Sequence, residues 1–290
     1  MSGISVNSKG VVRVAGWEKY GWLRHGFSTR EGGVSEVYGG KSLNLGWTAE
    51  DEAGLVTENR QRFVGAICGG LLDKTGHFAS DARASDEPRL VTVRQVHGDV
   101  VQVVREGAVE GLLQTPEGKA VLVGDGLMTD LPGVLVGVQT ADCVPVLLVD
   151  VRRRAMAAIH AGWRGTLARI VEKGVAGMRE AYGSQVEDLV AAVGPSIGGC
   201  CYSVGEEVRA GFEGEFGYGA SLFEARGGEV FLDLWEANRR QLLEAGVSDV
   251  SVVGECTACA RVKGERKYFS HRAEMGVTGR MLSVVGEGSW

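Results

Sequence analysis

The sequence predicts a single domain of mixed α and β structure, and three observations carry that expectation. The centre of the chain is dense in short apolar strands, helical periodicity flanks it, and no Pro/Ser-rich linker or internal repeat divides it. Val134–Val138, Val144–Val149 and Ala155–Ile159 are β-branched or small apolar runs separated by polar punctuation, as in strands buried on both faces. Leu189–Val193 continues the pattern, and Val250–Val253 reads as the last core strand. Ahead of them, Leu90–Val104 alternates as strand, with a change of register near His97.

Helices follow from three-four spacing and end signals. One is expected over 49–67 after Thr48 as N-cap, with Val56, Arg60, Phe63, Val64 and Ile67 on one face. Another is expected over 164–181, carried by Leu167, Ile170, Val171, Val175 and Met178. Ser203 with Glu206, and Asp233 with Glu236, both fit the reciprocal capping box. Residues 70–88 read as a surface loop, Arg152-Arg153-Arg154 as a solvated turn, and Tyr268–Val285 as a mixed tail that packs back on the fold.

Composition narrows the function classes. A chain of 290 residues with 44% hydrophobic content can bury a sizeable core. Its net charge of −6 and lack of a basic stripe argue against a nucleic-acid partner. No stretch approaches the ~20 apolar residues of a membrane span. The opening MSGISVNSKG lacks the basic-then-apolar order of a signal peptide, so cytoplasm is the expected compartment. The six cysteines then read as core residues, ligands or nucleophiles rather than a disulfide framework. Forty-five glycines, about twice average usage, point to many tight turns.

Three segments place ligand-type side chains at the ends of apolar strands: Val93–Gly98 with His97, Gln139–Pro145 with Cys143, and Ala158–Gly165 with His160. Taken singly, each has an ordinary explanation as a hydrogen-bonded histidine or a small apolar thiol. Together, two imidazoles and a thiolate make a three-ligand set that leaves one tetrahedral position open, as catalytic zinc sites do. Copper in a type 1 arrangement uses the same donors, so copper stays open beside zinc. A four-copper enzyme needs on the order of ten histidines, whereas this chain holds only His25, His77, His97, His160 and His271. A metal-free reading also stays open, with Cys143 as nucleophile and His160 as base in an amidase or deamidase.

Ordered motifs along nearly the whole chain add a resemblance. They include Phe27–Ser35, Ser42–Gly46, Glu58-Asn59-Arg60, Gln95–Gly98, Asp125-Gly126, Thr140–Pro145, His160–Gly165, Gly194–Gly198, Cys200-Cys201-Tyr202, Cys256-Thr257, Phe269-Ser270 and Thr278–Met281. In these the sequence resembles the bacterial multicopper polyphenol oxidoreductase (laccase-domain) family, whose members are purine nucleoside phosphorylases with adenosine deaminase activity. The resemblance implies an α+β fold over 1–290, a single domain of mixed β-sheets with helices packed outside. It puts His97, Cys143 and His160 in the places of three zinc ligands. It also implies purine nucleosides and phosphate as partners, and leaves the oligomeric state open. Ser203 stands where an acidic residue commonly follows Cys-Cys-Tyr, and Phe269-Ser270-His271-Arg272-Ala273 replaces Phe-Ser-Tyr-Arg-Arg, which bears on substrate preference.

Within that framework, Asp142 is either a catalytic proton shuttle or a buried structural carboxylate. Arg30 and Arg164 are either phosphate clamps or structural ion pairs, with Asn44, Gln95 and Thr140 as further substrate-binding candidates. Deamination would attack C6 of adenine with water activated at the metal. Gly194–Gly199 reads as a glycine turn rather than a phosphate cradle. Cys256-x-x-Cys259 lacks a second pair and reads as core thiols, while adjacent Cys200 and Cys201 cannot both enter one core from an extended strand.

Overall fold

Alternation along the central strands decides the architecture. In the computed structural model, which describes residues 4–6, 10–69, 88–107 and 119–288, Val134, Val136 and Val138 point one way and Leu135 the other. The same split divides Leu147 and Val149 from Val144, Val146 and Leu148. Successive side chains of a strand leave opposite faces, so these strands are covered on both sides.

Two six-stranded mixed sheets result. The first runs, edge to edge, through Ile4–Val6, Val11–Val14, Leu23–Ser28, Met281–Glu287, Val134–Thr140 and Arg89–Thr92. The second runs through Asp249–Val252, Leu189–Val193, Val144–Asp150, Met156–Ala161, Gly126–Thr129 and Val101–Val103. They pack face to face through one core, in which Phe27, Val136 and Val285 meet Leu147, Ala158 and Ala192. The Phe, Val and Leu side chains each contribute roughly 1.5–3 kcal/mol by leaving water. The helix Ala53–Cys68 covers the outer face of the first sheet through Phe63 and Ile67. Ile170–Tyr182 and Leu234–Glu244 cover the second through Ile170, Val175, Met178, Ala237 and Leu242. The fold is α+β with helices outside mixed sheets. No described helix is long and apolar enough to cross a membrane.

Several elements differ from the sequence expectation. Leu90–Val104 is two strands, Arg89–Thr92 and Val101–Val103, which belong to different sheets, so the apparent change of register is a crossing. The expected 49–67 helix starts at Ala53, because the Thr48 hydroxyl is bonded to Tyr38 (2.5 Å) instead of capping. The 164–181 helix breaks into Trp163–Leu167 and Ile170–Tyr182 around Arg169, which is left-handed at φ 60°. At the break the Thr166 carbonyl accepts from the Arg169 amide (3.0 Å) and from Gln241 Nε2 (2.8 Å).

Asp233 does cap its helix by accepting from the Glu236 amide (3.0 Å), but the Glu236 carboxylate is bonded to Arg239 and Arg240 rather than reaching back. Ser203 caps nothing: it lies in a short strand, Gly205 stands at the N-cap, and the Ser203 hydroxyl accepts from Arg272. Asp249–Val252 is a half-buried edge strand rather than the last core strand. The expected loop over 70–88 lies outside the described residues except for Pro88.

The tail goes further than packing back. Met281–Glu287 is wholly buried and inserted between Leu23–Ser28 and Val134–Thr140, antiparallel to both. Leu282→Ala should therefore cost about 2–5 kcal/mol, like any large-to-small change in a packed core. Chemical denaturation measures this; a loss below about 1 kcal/mol would mark the tail as peripheral.

Candidate metal centre

His97, Cys143 and His160 converge because the chain changes sheets beside one strand end. Residues 93–100 cross from the first sheet to the second and carry His97; residues 141–143 cross the same way and carry Cys143. His160 sits near the end of Met156–Ala161, where Pro145 is its partner across the ladder and Val144 pairs with Ala161. One ligand atom from each residue lies within 4.8 Å of the others. Tetrahedral zinc with ligand bonds of ~2.0–2.3 Å has edges of ~3.3–3.8 Å, so small side-chain adjustments close the set. Gly162 follows directly, and a Cβ there would meet Cys143 Sγ at 3.2 Å and His97 Cδ2 at 3.4 Å. The glycine lets the chain pass beneath the three ligands.

Sequence reading missed the residue that organises them. Asp125 is fully buried, just before the strand Gly126–Thr129. It accepts from the backbone amides of Val96 (3.3 Å), His97 (2.9 Å) and Gly98 (2.7 Å). It also accepts from His160 Nδ1 at 2.9 Å, which turns Nε2 towards the ligand cluster. A carboxylate behind a metal-binding imidazole fixes ring and tautomer and raises ligand basicity. The signal was Asp125-Gly126 opening a buried apolar strand. His97 sits at φ 59° and Asp142 at φ 94°, left-handed conformations that non-glycine residues keep only when surrounding bonds hold them.

The electrostatics suit an ionised thiol. Burial raises the Cys143 thiol, but His160 and then His97 outweigh it and bring it down from 9.0 to about 6. Burial disfavours the His160 cation, yet Cys143 and Asp125 overcome that and raise it to about 9. Burial also works against the Asp125 carboxylate, while His160 and the amides of Gly98 and Val96 hold it below its ordinary range. Two nitrogens and one ionisable sulfur, with a buried carboxylate behind them, fit a borderline-soft cation.

These three side chains line a cleft of about 700 Å³, a size that takes a small organic ligand. Trp47 and Tyr202 offer aromatic surface, and Arg94, Arg272 and Arg280 offer positive charge. Gln95 and Thr140 also line it. Both amide atoms of Gln95 are spent on the Gln139 backbone (2.7 and 2.8 Å), so it ties the wall together.

The remaining candidates lie elsewhere. Arg30 pairs with Glu274 (3.2 Å), donates to the Tyr38 carbonyl and stacks over Phe269. Arg164 is exposed, its guanidinium 4.4 Å from the Trp163 ring centre. Asn44 is buried, bonded to Gly46, Asp51 and the Arg280 amide. None of these three lines the cleft. Asp142 does, but its oxygens accept from the Thr257 hydroxyl (2.6 Å) and the Arg272 amide (2.7 Å), the geometry of a structural latch.

Fold and site together define a class: an α+β protein in which two histidines and one cysteine that could hold a metal ion gather where two sheets meet. The chain belongs to the family described as multi-copper polyphenol oxidoreductase laccase, whose model matches residues 24–287. It is 40% identical over 263 residues to a Deinococcus radiodurans protein named purine nucleoside phosphorylase, covering 90% of this chain and 88% of that one. It is 39% identical over 201 residues to adenosine deaminase RL5 of an unknown prokaryotic organism, covering 68% and 74% respectively. The crystal structure of YlmD from Geobacillus stearothermophilus matches with a TM-score of 0.80 at 32% identity, over 99% of both chains.

Asp125→Asn keeps the shape but loses the charge that holds His160 and the His97 loop. Metal affinity should fall about 10–100-fold, as for other partners of ligating histidines. Competition with a chromophoric chelator gives the value, and unchanged affinity would reduce Asp125 to a scaffold residue.

Proposed function

We propose that this chain is a zinc-dependent purine nucleoside phosphorylase, for the adenosine, inosine, guanosine and methylthioadenosine class, with adenosine deaminase activity, working in the cytoplasm. The observation that carries the reading is the ligand set: His97, Cys143 and His160 within 4.8 Å of one another on the floor of a nucleoside-sized cleft. The names of the relatives point the same way. When bound, zinc supplies Lewis-acid polarisation at the position its three protein ligands leave open.

The chain's own residues take the other roles. Trp47 and Tyr202 provide flat apolar surface for a purine. Phosphorolysis breaks the bond from C1′ to the base as phosphate attacks C1′, and the base leaves with the electron pair. That reaction needs cations for phosphate. Arg94 serves best, because it lines the cleft and its guanidinium carries no hydrogen bond or ion pair among the described residues, whereas Arg30 is paired with Glu274 and Arg164 stacks on Trp163 outside the lining. With both oxygens of Asp142 bonded, His271, an imidazole that also lines the cleft, takes the part of proton carrier in this reading.

A second reading has one observation behind it. Asp125, His160 and Cys143 form a carboxylate–imidazole–thiol chain, the form of a cysteine nucleophile with its base. In that chain His97 only helps His160 to favour the thiolate, whereas the metal reading employs all three as donors.

Product analysis with adenosine tests the proposal first. Adenine and ribose 1-phosphate should appear only when phosphate is supplied, while inosine should form with or without it. Adenine released equally fast without phosphate would make the protein a hydrolase. Arg94→Gln should slow phosphorolysis about 10–100-fold, the worth of a charge-assisted bond, and spare deamination, while Arg164→Gln changes both little. Equal loss of the two activities in Arg94→Gln would remove it from phosphate binding. Cys143→Ser should lose zinc and activity together, and Cys143→Asp, which keeps an anionic donor, should retain part of both. An inactive Cys143→Ser with a full complement of zinc would instead support the nucleophile reading.

A further inference from the structure

We propose a second metal site, a closed four-thiolate zinc centre formed by Cys200, Cys201, Cys256 and Cys259. Their sulfurs all lie within 4.8 Å of one another, and Cys200 Sγ and Cys259 Sγ are 3.7 Å apart. Tetrahedral zinc with Zn–S bonds of ~2.3 Å has S···S edges of ~3.8 Å, so this pair already has the spacing of two ligands.

The backbone is built for that use. Cys256-Thr257-Ala258-Cys259 is a tight turn closed by the Ala260 amide donating to the Cys256 carbonyl (2.9 Å). It opens directly into the two-stranded hairpin Arg261–Val262 with Glu265–Arg266. Cys256 Sγ accepts from the Gly198 amide at 3.3 Å and from the amides of Ala258 and Cys259. Amides aimed at a sulfur favour its thiolate form, which is the form that binds metal. On the facing segment, the chain turns at 199–201, with the amides of Cys201 and Tyr202 both donating to the Gly198 carbonyl. That turn is what lets adjacent Cys200 and Cys201 face the same point, which an extended strand forbids.

Other readings of the four thiols fit less well. A thiol kept as a small apolar residue is buried, yet Cys200 and Cys259 are exposed and Cys201 is half-exposed. A disulfide brings two sulfurs to ~2.05 Å in separate pairs, whereas these four converge on one point. Four thiolates around zinc carry a net charge of −2, and three arginines lie against the two segments, Arg226 also pairing with Glu224 (3.5 Å). Arg226 donates to the Gly199 carbonyl (2.5 Å) and Arg266 to the Ala258 carbonyl (2.7 Å), while Arg261 reaches both Ala258 and Ala260 (3.4 and 3.2 Å).

The consequence reaches the cleft. Thr257 bonds Asp142, and the Ile197 amide donates to the Asp142 carbonyl, so the two thiol segments carry two anchors of the residue preceding Cys143. The ion would pin together the wall formed by Ile197 and Tyr202.

The test counts zinc by mass spectrometry on protein purified without chelator, in wild type, Cys256→Ser/Cys259→Ser and His97→Ala/Cys143→Ser. Cobalt is then substituted into the last of these. About two zinc ions are expected in wild type and about one in each double variant. The cobalt form of His97→Ala/Cys143→Ser should show intense thiolate-to-cobalt charge transfer, and zinc should shield the four thiols of wild type from alkylation. If His97→Ala/Cys143→Ser binds neither metal, or if the four thiols alkylate equally fast with and without zinc, the site does not exist. A disulfide joining the two segments in fresh, unreduced protein would also overturn it. The two metal sites fail separately. Zinc lost only in Cys256→Ser/Cys259→Ser supports this site and removes the first, and zinc lost only in His97→Ala/Cys143→Ser does the reverse.

Discussion

The buried carboxylate of Asp125 is the interaction on which the site depends. A fully desolvated carboxylate is tolerated only when hydrogen bonds compensate its lost hydration. Here three consecutive amides, 96 to 98, and the His160 imidazole supply them. The same four bonds force His97 into its left-handed conformation, hold the crossing loop against the second sheet and aim the other nitrogen of His160 at Cys143. One charge thus couples the loop that leaves the first sheet to the strand end of the second. Solvation of a single group sets the geometry of three.

Around it, the sheet-on-sheet core provides rigidity. A one-residue slip would send every side chain of these strands to the opposite face, so two close-packed cores would have to repack at once. The ladder from Gly126–Thr129 to Met156–Ala161 to Val144–Asp150 therefore fixes where Asp125, His160 and Cys143 stand relative to one another. The crossings themselves carry strain at His97 and Asp142, and each is tied by a carboxylate: Asp125 for the first, and Asp142's own for the second. Asp142 is thereby occupied as a latch to the 256–257 and 270–272 segments, which brings distant parts of the chain to one cleft.

The family's name speaks of many coppers, but among the described residues the histidine donors gather at one place, His97 and His160. The chain has five histidines, of which His25 accepts from the Val14 amide inside the first sheet (3.1 Å) and His77 lies outside the described residues. The cysteine-rich cluster beyond the cleft is sulfur-only, a donor set that suits a structural ion rather than oxygen chemistry.

Local chemistry made much of this legible. Apolar runs with period two announced the central strands, three-four spacing announced the helices around Phe63 and Val175, and ligand-type residues at strand ends marked His97, Cys143 and His160. Each of those signals is contained within a few neighbouring residues of the chain. What the sequence could not show depends on partners far apart in it. Met281–Glu287 is central because strands 23–28 and 134–140 leave a gap that only it fills. Asp125 matters because residues 96–98 and 160 fold onto it. Arg30 and Asn44 are spent on Glu274 and the Arg280 amide, more than 200 positions away. Four cysteines become one cluster only because a turn at 199–201 faces a turn at 256–259. By itself the sequence determined which residues were apolar, ionisable or able to bind metal. Which of them met, and which were already occupied, only the tertiary structure decided, because burial and hydrogen bonding are properties of neighbours in space.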